Sequence, residues 1–291
     1  MRAPPMERRS ALTEREFIEE YLVGNKPVIV TDAMASWPGM THWSPAYLAR
    51  ELGSEKVQIY DDLFDLRDVT SLRAYLEEWF GRVPAAGRAV PYVRWYTKLR
   101  DVDFAWADQA FAKLEGQWEL PAFVPKSSYL LPFCPLSAEI SPVRDRFPAR
   151  GLFLSARGAR TRLHRDPWAS DAILCQVFGE KKLLVYAPDQ ARFLTSGTEI
   201  VDIDKPDLRT FPSFGKAQLS YNDVLRPGEV VFFPRGWFHH VSTLTDSMSL
   251  TWNFVHTSTW APFFEYLAAG PPASELEVIR FFVSGSGPSP R

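Results

Sequence analysis

The pattern of apolar and polar positions changes near the middle of the chain. In the first half, apolar residues recur at helical spacing behind capping signals; Thr13 and Glu16, for example, form a capping-box pattern ahead of Phe17. From Gly151 onward, short runs of β-branched and aromatic residues alternate with turn residues. The pattern therefore predicts a mixed α/β lead-in followed by a second part that consists mainly of strands.

The lead-in is predicted to contain both helices and separate strands. Gly24 with Asn25 ends the first helix, and Ser44 before Pro45 opens the second. Helices are expected over residues 13–23, 44–52, 71–79 and 104–118, and strands over residues 27–31, 57–60 and 91–96.

The second part is predicted to be a double-stranded β-helix, or jelly-roll, so the fold class is mainly β. The stretch 193–224 has few apolar runs and is interpreted as an inserted loop that contacts substrate. Strands are expected over residues 151–157, 172–178, 229–233 and 238–255, and two helices over residues 260–268 and 274–283.

Length and composition allow one large domain. The chain has 291 residues, of which 46% are hydrophobic, and this is enough for a full core. Flexible tails are expected over residues 1–12 and 284–291. Between them we expect a single domain over residues 13–283, with the lead-in at 13–150, the core at 151–256 and C-terminal helices at 257–283.

The charge and cysteine content indicate which classes of partner and which cellular compartment are expected. The formal net charge of −2 gives no basic surplus, so a nucleic-acid partner is not expected. No apolar stretch approaches the length of a membrane span, so no membrane partner is expected. Cys134 and Cys175 make no disulfide framework, and no signal-peptide pattern opens the sequence; both features favour the cytoplasm.

Two histidine segments carry the most informative chemistry. His164 and Asp166 are two residues apart in an extended segment, so their side chains are expected on one face, and His239 lies in a later strand. Two imidazoles and one carboxylate leave three positions of an octahedral ion open, an arrangement typical of non-haem Fe(II). The same ligands can bind Zn²⁺ in a hydrolase or isomerase. The residues alone therefore leave iron and zinc both open.

Several ordered blocks of the sequence resemble the JmjC-type, cupin-like Fe(II)- and 2-oxoglutarate-dependent oxygenases, in particular their small hydroxylase subgroup. A lead-in similar to that of the family covers Phe17–Leu48. The later blocks are Thr161–Pro167, Val177–Pro188, Arg226–Pro234, Trp237–Val241 and Ser249–Phe254. The resemblance implies the jelly-roll fold, Fe(II) as the cofactor, and 2-oxoglutarate and O2 as co-substrates.

The resemblance also implies roles for individual residues. His164, Asp166 and His239 match the metal ligands of the family, in which the first histidine of the His-His pair is the ligand, so His240 is expected to face away from the metal. Lys181 matches the lysine that binds the distal carboxylate of 2-oxoglutarate, where an ammonium is a charge-assisted donor. Further matches are Thr161 and Tyr92 at the same carboxylate and Thr251 and Asn253 at the keto-acid end. The candidates for the walls of the pocket are Phe153, Trp168, Trp237 and Trp252.

The activity that the resemblance implies is hydroxylation of a side chain of a protein or peptide, coupled to decarboxylation of 2-oxoglutarate to succinate and CO2. Hydroxylation of a small metabolite or of a tRNA base is an alternative. A zinc-dependent cupin hydrolase or isomerase and a non-catalytic cupin that binds a partner are others. Lys181 and Thr161 disfavour the zinc enzyme, because a hydrolase has no obvious use for them. The C-terminal helices are expected to mediate a homodimer.

Overall fold

Two facing β-sheets form the centre of the protein, as seen in a computed structural model that describes residues 3–85, 87–135 and 137–284. The strands in these ranges are β1 Arg8–Arg9, β2 Val28–Val30, β3 Lys56–Tyr60, β4 Leu66–Ser71, β5 Tyr92–Tyr96, β6 Tyr129–Leu131, β7 Gly151–Ser155, β8 Arg160–His164, β9 Asp171–Phe178, β10 Lys181–Tyr186, β11 Thr195–Ser196, β12 Glu199–Ile200, β13 Tyr221–Leu225, β14 Val230–Phe233, β15 Phe238–Thr243 and β16 Ser247–His256. The large sheet has the order β1-β2-β14-β9-β16-β7-β5-β3-β4, with β6 paired to β16, and the small sheet has the order β13-β10-β15-β8. This architecture confirms the mainly β, jelly-roll fold.

The helices lie mostly in the lead-in and near the C-terminal end. They are α1, an α-turn at Glu14–Glu16 that continues as a π-helix over Phe17–Val23, α2 Gly39–His42, α3 Pro45–Glu51, α4 Leu72–Trp79, α5 Asp108–Lys113, α6 Ala191–Leu194, α7 Trp260–Ala268 and α8 Ala273–Val283, with 3₁₀ turns at Pro188–Gln190, Phe214–Lys216 and Thr257–Thr259. The side chains of Thr13, Ser44 and Ser71 accept backbone hydrogen bonds at three of the predicted helix starts. The helix expected over 104–118 covers only Asp108–Lys113, since the chain turns on both sides and Gly116 has a φ of +75°.

The lead-in is integrated into the large sheet. Its strand β2 pairs with β14, and its strand β5 pairs with β7, both antiparallel. Phe17 of α1 packs edge-on against Phe123 and Phe232, with ring centroids 4.9 and 4.8 Å apart. Burial of one such side chain contributes about 1.5–3 kcal/mol, so Phe17 alone attaches α1 firmly to the outer face of the sheet.

Alternating side chains separate two apolar cores. In β9, Ile173 faces the core under the lead-in helices, whereas Leu174 faces the small sheet. Leu183 of β10 and Val231 of β14 belong to the same core as Leu174. The space between the sheets is therefore lined by the inward-facing side chains of both sheets.

Residues 6–12 are part of the fold, which corrects the expectation of a flexible tail over 1–12. β1 pairs in parallel with β2, and Met6 is buried between the sheets. Arg8 pairs with Asp223 at 2.7 Å and with Glu229 at 2.9 Å. These partners lie 215 and 221 positions further along the chain, so no local sequence pattern predicts the two ion pairs.

The segment predicted as an inserted loop over 193–224 also needs correction. Its last residues belong to β13, which pairs with β10 in the small sheet. The rest packs on the outer face of that sheet, where Leu194, Val201 and Phe211 form a core with Phe238. Asp202 and Asp204 both pair with Arg160. The segment therefore forms a separate core outside the small sheet, and none of the described residues that line the cavity between the two sheets comes from it.

The C-terminal helices pack against the segment that follows Asp166. The backbone N–H of Trp168 donates to Glu275 of α8 at 3.3 Å, and the hydroxyl of Tyr266 in α7 donates to the same carboxylate. Apolar side chains of both helices form a core with Trp168, namely Phe263, Val278, Ile279 and Phe282. The two helices thus support a loop next to a candidate metal ligand.

Two further observations bear on the surroundings of the protein. Among the described helices, none has the length and apolar character required to span a lipid bilayer. Cys134 and Cys175 are both buried free thiols.

Candidate metal centre

His164, Asp166 and His239 come together between the two sheets. His164 ends β8 and lies opposite His239 of β15 in an antiparallel pair. Asp166 lies two residues beyond the end of β8. One potential ligand atom from each residue lies within 4.8 Å of the other two, and Asp166 Oδ2 is 3.8 Å from His239 Nε2. The geometry therefore places three potential metal ligands around one point.

Hydrogen bonds leave one nitrogen of each imidazole free. Nδ1 of His164 lies 2.8 Å from the carbonyl oxygen of Arg162, and Nδ1 of His239 lies 3.3 Å from that of Trp237. Because a carbonyl only accepts, each Nδ1 carries the proton and each Nε2 keeps its lone pair. Burial lowers the pKa of both imidazoles, which favours the neutral form that binds metals. Two neutral imidazoles and one carboxylate fit a divalent iron ion.

A β-bulge in β8 sets the direction of Thr161. His239 pairs with His164 and Val241 pairs with Thr161, so three steps along β8 match two steps along β15. The extra residue reverses the alternation, and Thr161 and His164 both line the cavity although they are three positions apart. The bulge therefore brings a hydroxyl and a potential ligand onto one face.

His240 lies on the opposite face of β15 from His239. Its Nε2 is 3.1 Å from Ser242 Oγ and 3.7 Å from Asp204 Oδ2. Burial lowers the pKa of His240, as it does for the other two histidines. The structure thus brings His239, and not His240, to His164.

A second polar group is built around Lys181. Its ammonium is fully buried and donates to the Tyr92 hydroxyl at 2.6 Å and to Ser249 Oγ at 2.8 Å. Ser249 Oγ in turn donates to Gln176. Burial by itself raises the pKa of Tyr92, but the positive charges of Lys181 and Arg94 outweigh it, and the pKa is lowered. Tyr92 is among the residues that line the cavity, and Lys181 lies behind it.

Thr251 and Asn253 line the cavity from one face of β16, as their spacing predicts. Thr251 Oγ1 donates to the carbonyl oxygen of Ile173 at 2.9 Å, and Asn253 Nδ2 donates to Ser170 Oγ at 2.9 Å. These bonds orient both side chains and leave the side-chain oxygen of Asn253 for a ligand.

The cavity that these residues share has a volume of about 380 Å³. Phe153 and Trp168 line it, as expected. Trp252 does not, because it alternates with its neighbours in β16 and is fully buried in the outer core. Trp237 does not line it either; its ring stacks on Tyr221 at 5.9 Å. The expectation for these two tryptophans is therefore wrong.

Two residues beside the candidate ligands were not expected from the sequence. Arg94 of β5 is fully buried, and its Nη2 donates to Thr161 Oγ1 at 2.9 Å. Phe64, in the β3–β4 turn with a φ of +67°, lies with its ring centroid 4.9 Å from that of His164 and 4.1 Å from Arg94 Cζ. The alternation of Tyr92 and Arg94 along β5 is the signal that could have identified Arg94. We find no comparable sequence signal for Phe64.

Comparison with known proteins agrees with this geometry. A family model described as a cupin-like domain matches residues 13–259. The chain is 27% identical to tRNA wybutosine-synthesizing protein 5 of Gallus gallus over 246 residues, covering 79% of this chain and 70% of the relative. It is 28% identical to lysine-specific demethylase 8 of Xenopus tropicalis over 245 residues, covering 81% of this chain and 49% of the relative.

A third relative has a name that states its cofactors. The chain is 24% identical to a 2-oxoglutarate and iron-dependent oxygenase of Gallus gallus over 270 residues, covering 84% of this chain and 59% of the relative. The alignments thus span between about half and 70% of the length of these three relatives. The resemblance to JmjC-type, cupin-like oxygenases is confirmed, and Fe(II) and 2-oxoglutarate agree with both the relatives and the ligand set.

Proposed function

Because this chain belongs to the family of cupin-like domains, we propose that it is an Fe(II)- and 2-oxoglutarate-dependent oxygenase that hydroxylates a side chain of a protein or peptide. The observation that supports this best is the convergence of His164, Asp166 and His239 inside a cavity. In the overall reaction, a substrate C–H bond, O2 and 2-oxoglutarate give the hydroxylated product, succinate and CO2. Bound iron would supply the oxidising chemistry that side chains lack.

The polar residues of the cavity would orient the co-substrate. We assign Tyr92, Thr161 and Lys181 to its distal carboxylate: the hydroxyls of Tyr92 and Thr161 line the cavity and can donate to it, and the ammonium of Lys181, bonded to Tyr92, supplies positive charge. Thr251 and Asn253 would contact the keto-acid end from the facing strand.

Apolar residues keep the candidate centre in place and limit the access of water. Phe233 stacks flat against His239, with the ring centroids 4.2 Å apart and the planes 5° apart. Phe153 and Leu174 contribute further apolar side chains to the lining of the cavity. Such a surrounding strengthens the interaction between charged groups and the co-substrate, since little water competes for them.

Anaerobic titration with Fe(II), with and without 2-oxoglutarate, tests the cofactor assignment. Asp166→Ala removes the carboxylate ligand, so we expect it to lose Fe(II) binding and 2-oxoglutarate-dependent succinate release. Asp103→Ala, which removes an exposed carboxylate, is the control and should behave as the parent. If Asp166→Ala binds both as well as the parent does, the ligand assignment is wrong. Turnover with Zn²⁺ in the absence of O2 would favour the zinc hydrolase or isomerase.

The charges near the site support a protein or peptide substrate over a nucleic acid. Arg160 and Arg162 lie on the strand that ends at His164, and both pair with Asp202, at 3.1 and 3.3 Å. Arg160 also pairs with Asp62 at 2.7 Å. Arginines that are neutralised in this way contribute little to phosphate binding.

Hydroxylation of a tRNA base is the second candidate. It is favoured by the similarity to tRNA wybutosine-synthesizing protein 5 over most of the chain. The cavity volume of about 380 Å³ lies in the range of small-ligand sites, so a single base or a single side chain could enter it beside the co-substrate.

Labelling with oxygen-18 gas distinguishes the substrate classes. A cell extract is incubated with the active enzyme, Fe(II) and 2-oxoglutarate, and its protein, RNA and small-molecule fractions are analysed by mass spectrometry. We expect label in the protein fraction with the parent and none with Asp166→Ala. Label confined to tRNA or to small molecules would instead identify the second candidate or a metabolite hydroxylase.

A homodimer formed through the C-terminal helices is also part of our proposal. Trp260 and Phe264 of α7 are 58% and 53% exposed, and their ring centroids are 6.0 Å apart. A second copy of the chain would cover this apolar face. We assign the protein to the cytoplasm because Cys134 and Cys175 are both free thiols.

A further inference from the structure

Arg94 is a buried cation that has no described carboxylate as its partner. Its Nη1 donates to the backbone carbonyl of Asp61 at 2.7 Å and its Nη2 donates to Thr161 Oγ1 at 2.9 Å, and neither acceptor is charged. The carboxylate of Asp61 instead pairs with Arg67 at 2.5 Å. The Nε of Arg94 has no acceptor among the described residues. A charge buried in this way is unfavourable unless an anion joins it.

The guanidinium borders the cavity, so that a ligand can reach it. Arg94 lines the cavity together with Tyr92 and Thr161. Its Cζ lies 4.1 Å from the ring centroid of Phe64 and 4.5 Å from that of Tyr92. The guanidinium packs on the faces of both rings, and Nη1 and Nη2 each keep a second N–H, beyond the bonds to Asp61 and Thr161, for a ligand.

Arg150 shows how the same fold buries an arginine with a structural role. Its Nη1 donates to the backbone carbonyls of Pro142, Val143 and Asp145, and it does not line the cavity. Burial lowers the pKa of Arg150 to about 10, and it lowers the pKa of Arg94 as well. Both cations are therefore destabilised by burial, but only Arg94 faces a space from which an anion could compensate.

We propose that Arg94 binds the distal carboxylate of the 2-oxo acid as a second cation beside Lys181. The inference rests on the proposed function. Thr161, assigned above to that carboxylate, is already bonded to Arg94, so one ligand group could contact both. A guanidinium presents parallel N–H groups that match the two oxygens of a carboxylate.

This arrangement gives Lys181 a less direct part. Its ammonium already donates to Tyr92 and Ser249, and it lies behind Tyr92 as seen from the cavity. Lys181 then stabilises the carboxylate through its charge and through the orientation of the Tyr92 hydroxyl. Two cations at one end of the cavity select a co-substrate with a second carboxylate over one without it.

A pair of ligands that differ only at the distal end tests the proposal. 2-Oxoglutarate and 2-oxopentanoate share the keto-acid end and the chain length, but the second has a methyl group in place of the distal carboxylate. Binding of each to the anaerobic Fe(II)-loaded protein is measured by calorimetry for the parent, Arg94→Gln, Arg94→Lys and Arg150→Gln. Fe(II) affinity and thermal unfolding of each variant verify that the fold is intact.

We expect Arg94→Gln to weaken 2-oxoglutarate binding by about 10- to 100-fold, the usual effect of a lost hydrogen bond to a charged group. Its affinity for 2-oxopentanoate should stay within about twofold of the parent, because that ligand has no distal carboxylate to lose. Arg94→Lys should recover part of the loss, since it restores the charge but not the paired N–H groups. Arg150→Gln should leave the preference between the two ligands unchanged.

Other outcomes would overturn the proposal. If Arg94→Gln binds 2-oxoglutarate as the parent does, or loses affinity for both ligands equally, Arg94 does not recognise the distal carboxylate, and the proposed oxygenase function is unaffected. If the Fe(II)-loaded parent does not bind 2-oxoglutarate, the proposed function itself fails, and this inference fails with it.

Discussion

His239 and His240 are neighbours in sequence but differ in every contact that concerns a metal. His239 stacks on Phe233 and directs its free Nε2 toward Asp166. His240 faces the other side of β15, where its Nε2 meets Ser242. A strand places adjacent side chains on opposite faces, so the two imidazoles share neither their partners nor their surroundings.

The two histidines therefore give a matched pair of variants. We expect His239→Ala to lose Fe(II) binding in an anaerobic titration, because one of three ligands is removed. His240→Ala should bind Fe(II) with nearly the affinity of the parent, since its contacts lie on the outer face of the small sheet. Loss of Fe(II) binding in His240→Ala with retention in His239→Ala would reverse the assignment.

The C-terminal helix α8 supports the loop between β8 and β9 that contains Asp166. Trp168 and Ala169 in this loop have φ values of +63° and +45°, a conformation that costs about 1–3 kcal/mol for residues other than glycine. Such backbone persists only where its surroundings specify it. Glu275 does so from α8, since its carboxylate accepts from the backbone N–H of Trp168.

Removal of this carboxylate should therefore affect both the fold and the metal site. We expect Glu275→Ala to lower the free energy of unfolding by about 1–2 kcal/mol, because the bonds to Trp168 and Tyr266 are lost. It should also weaken Fe(II) binding, since the loop carries Asp166. Denaturant unfolding and anaerobic Fe(II) titration measure the two effects.

Glu277 on the same helix is the control for this prediction. It is exposed, and its pair with Arg100 at 3.5 Å is a surface contact worth about 0–1 kcal/mol. Glu277→Ala should leave Fe(II) binding unchanged. Equal Fe(II) affinity of the two variants would show that α8 does not influence the ligand loop.

In the whole molecule, the two sheets and the terminal segments enclose the cavity from different directions. The lead-in contributes Tyr92 and Arg94 through β5, the small sheet contributes His164 and His239, and β16 of the large sheet contributes Asn253. The C-terminal helices pack against the β8–β9 loop at the edge of the cavity, and an aromatic face of α7 remains exposed. Residues from most of the chain are therefore needed to form one site.

The exposed face of α7 makes the proposed homodimer testable. We expect the parent to be a dimer by light scattering and Trp260→Glu/Phe264→Glu to be a monomer, because a charge on each buried apolar face opposes association. Leu208→Glu, at a residue that is 60% exposed outside the C-terminal helices, is the control and should remain a dimer. A monomeric parent would contradict the prediction.

Local patterns were sufficient for much of the fold and for pairing His164 with Asp166, whereas the resemblance to the family selected His239 as the third ligand. The capping residues Thr13, Ser44 and Ser71 predict helix starts that the structure confirms, since a cap depends on atoms within one turn. The alternation of side chains along a strand correctly predicted that Thr251 and Asn253 share one face of β16 and that His239 and His240 lie on opposite faces of β15. These features depend on residues within a few positions of each other.

Other features depend on contacts between distant parts of the chain, and no local pattern records them. The two-residue strand β1 pairs with β2, and its Arg8 bonds to Asp223 and Glu229, more than 200 positions away. The bulge that turns Thr161 into the cavity depends on the register between β8 and β15. Likewise, the sequence alone gives no reason to distinguish Arg94 of β5 from an ordinary polar residue in a strand. It becomes a buried cation beside a cavity only when the lead-in strands join the large sheet, because burial and pairing are properties of the assembled fold.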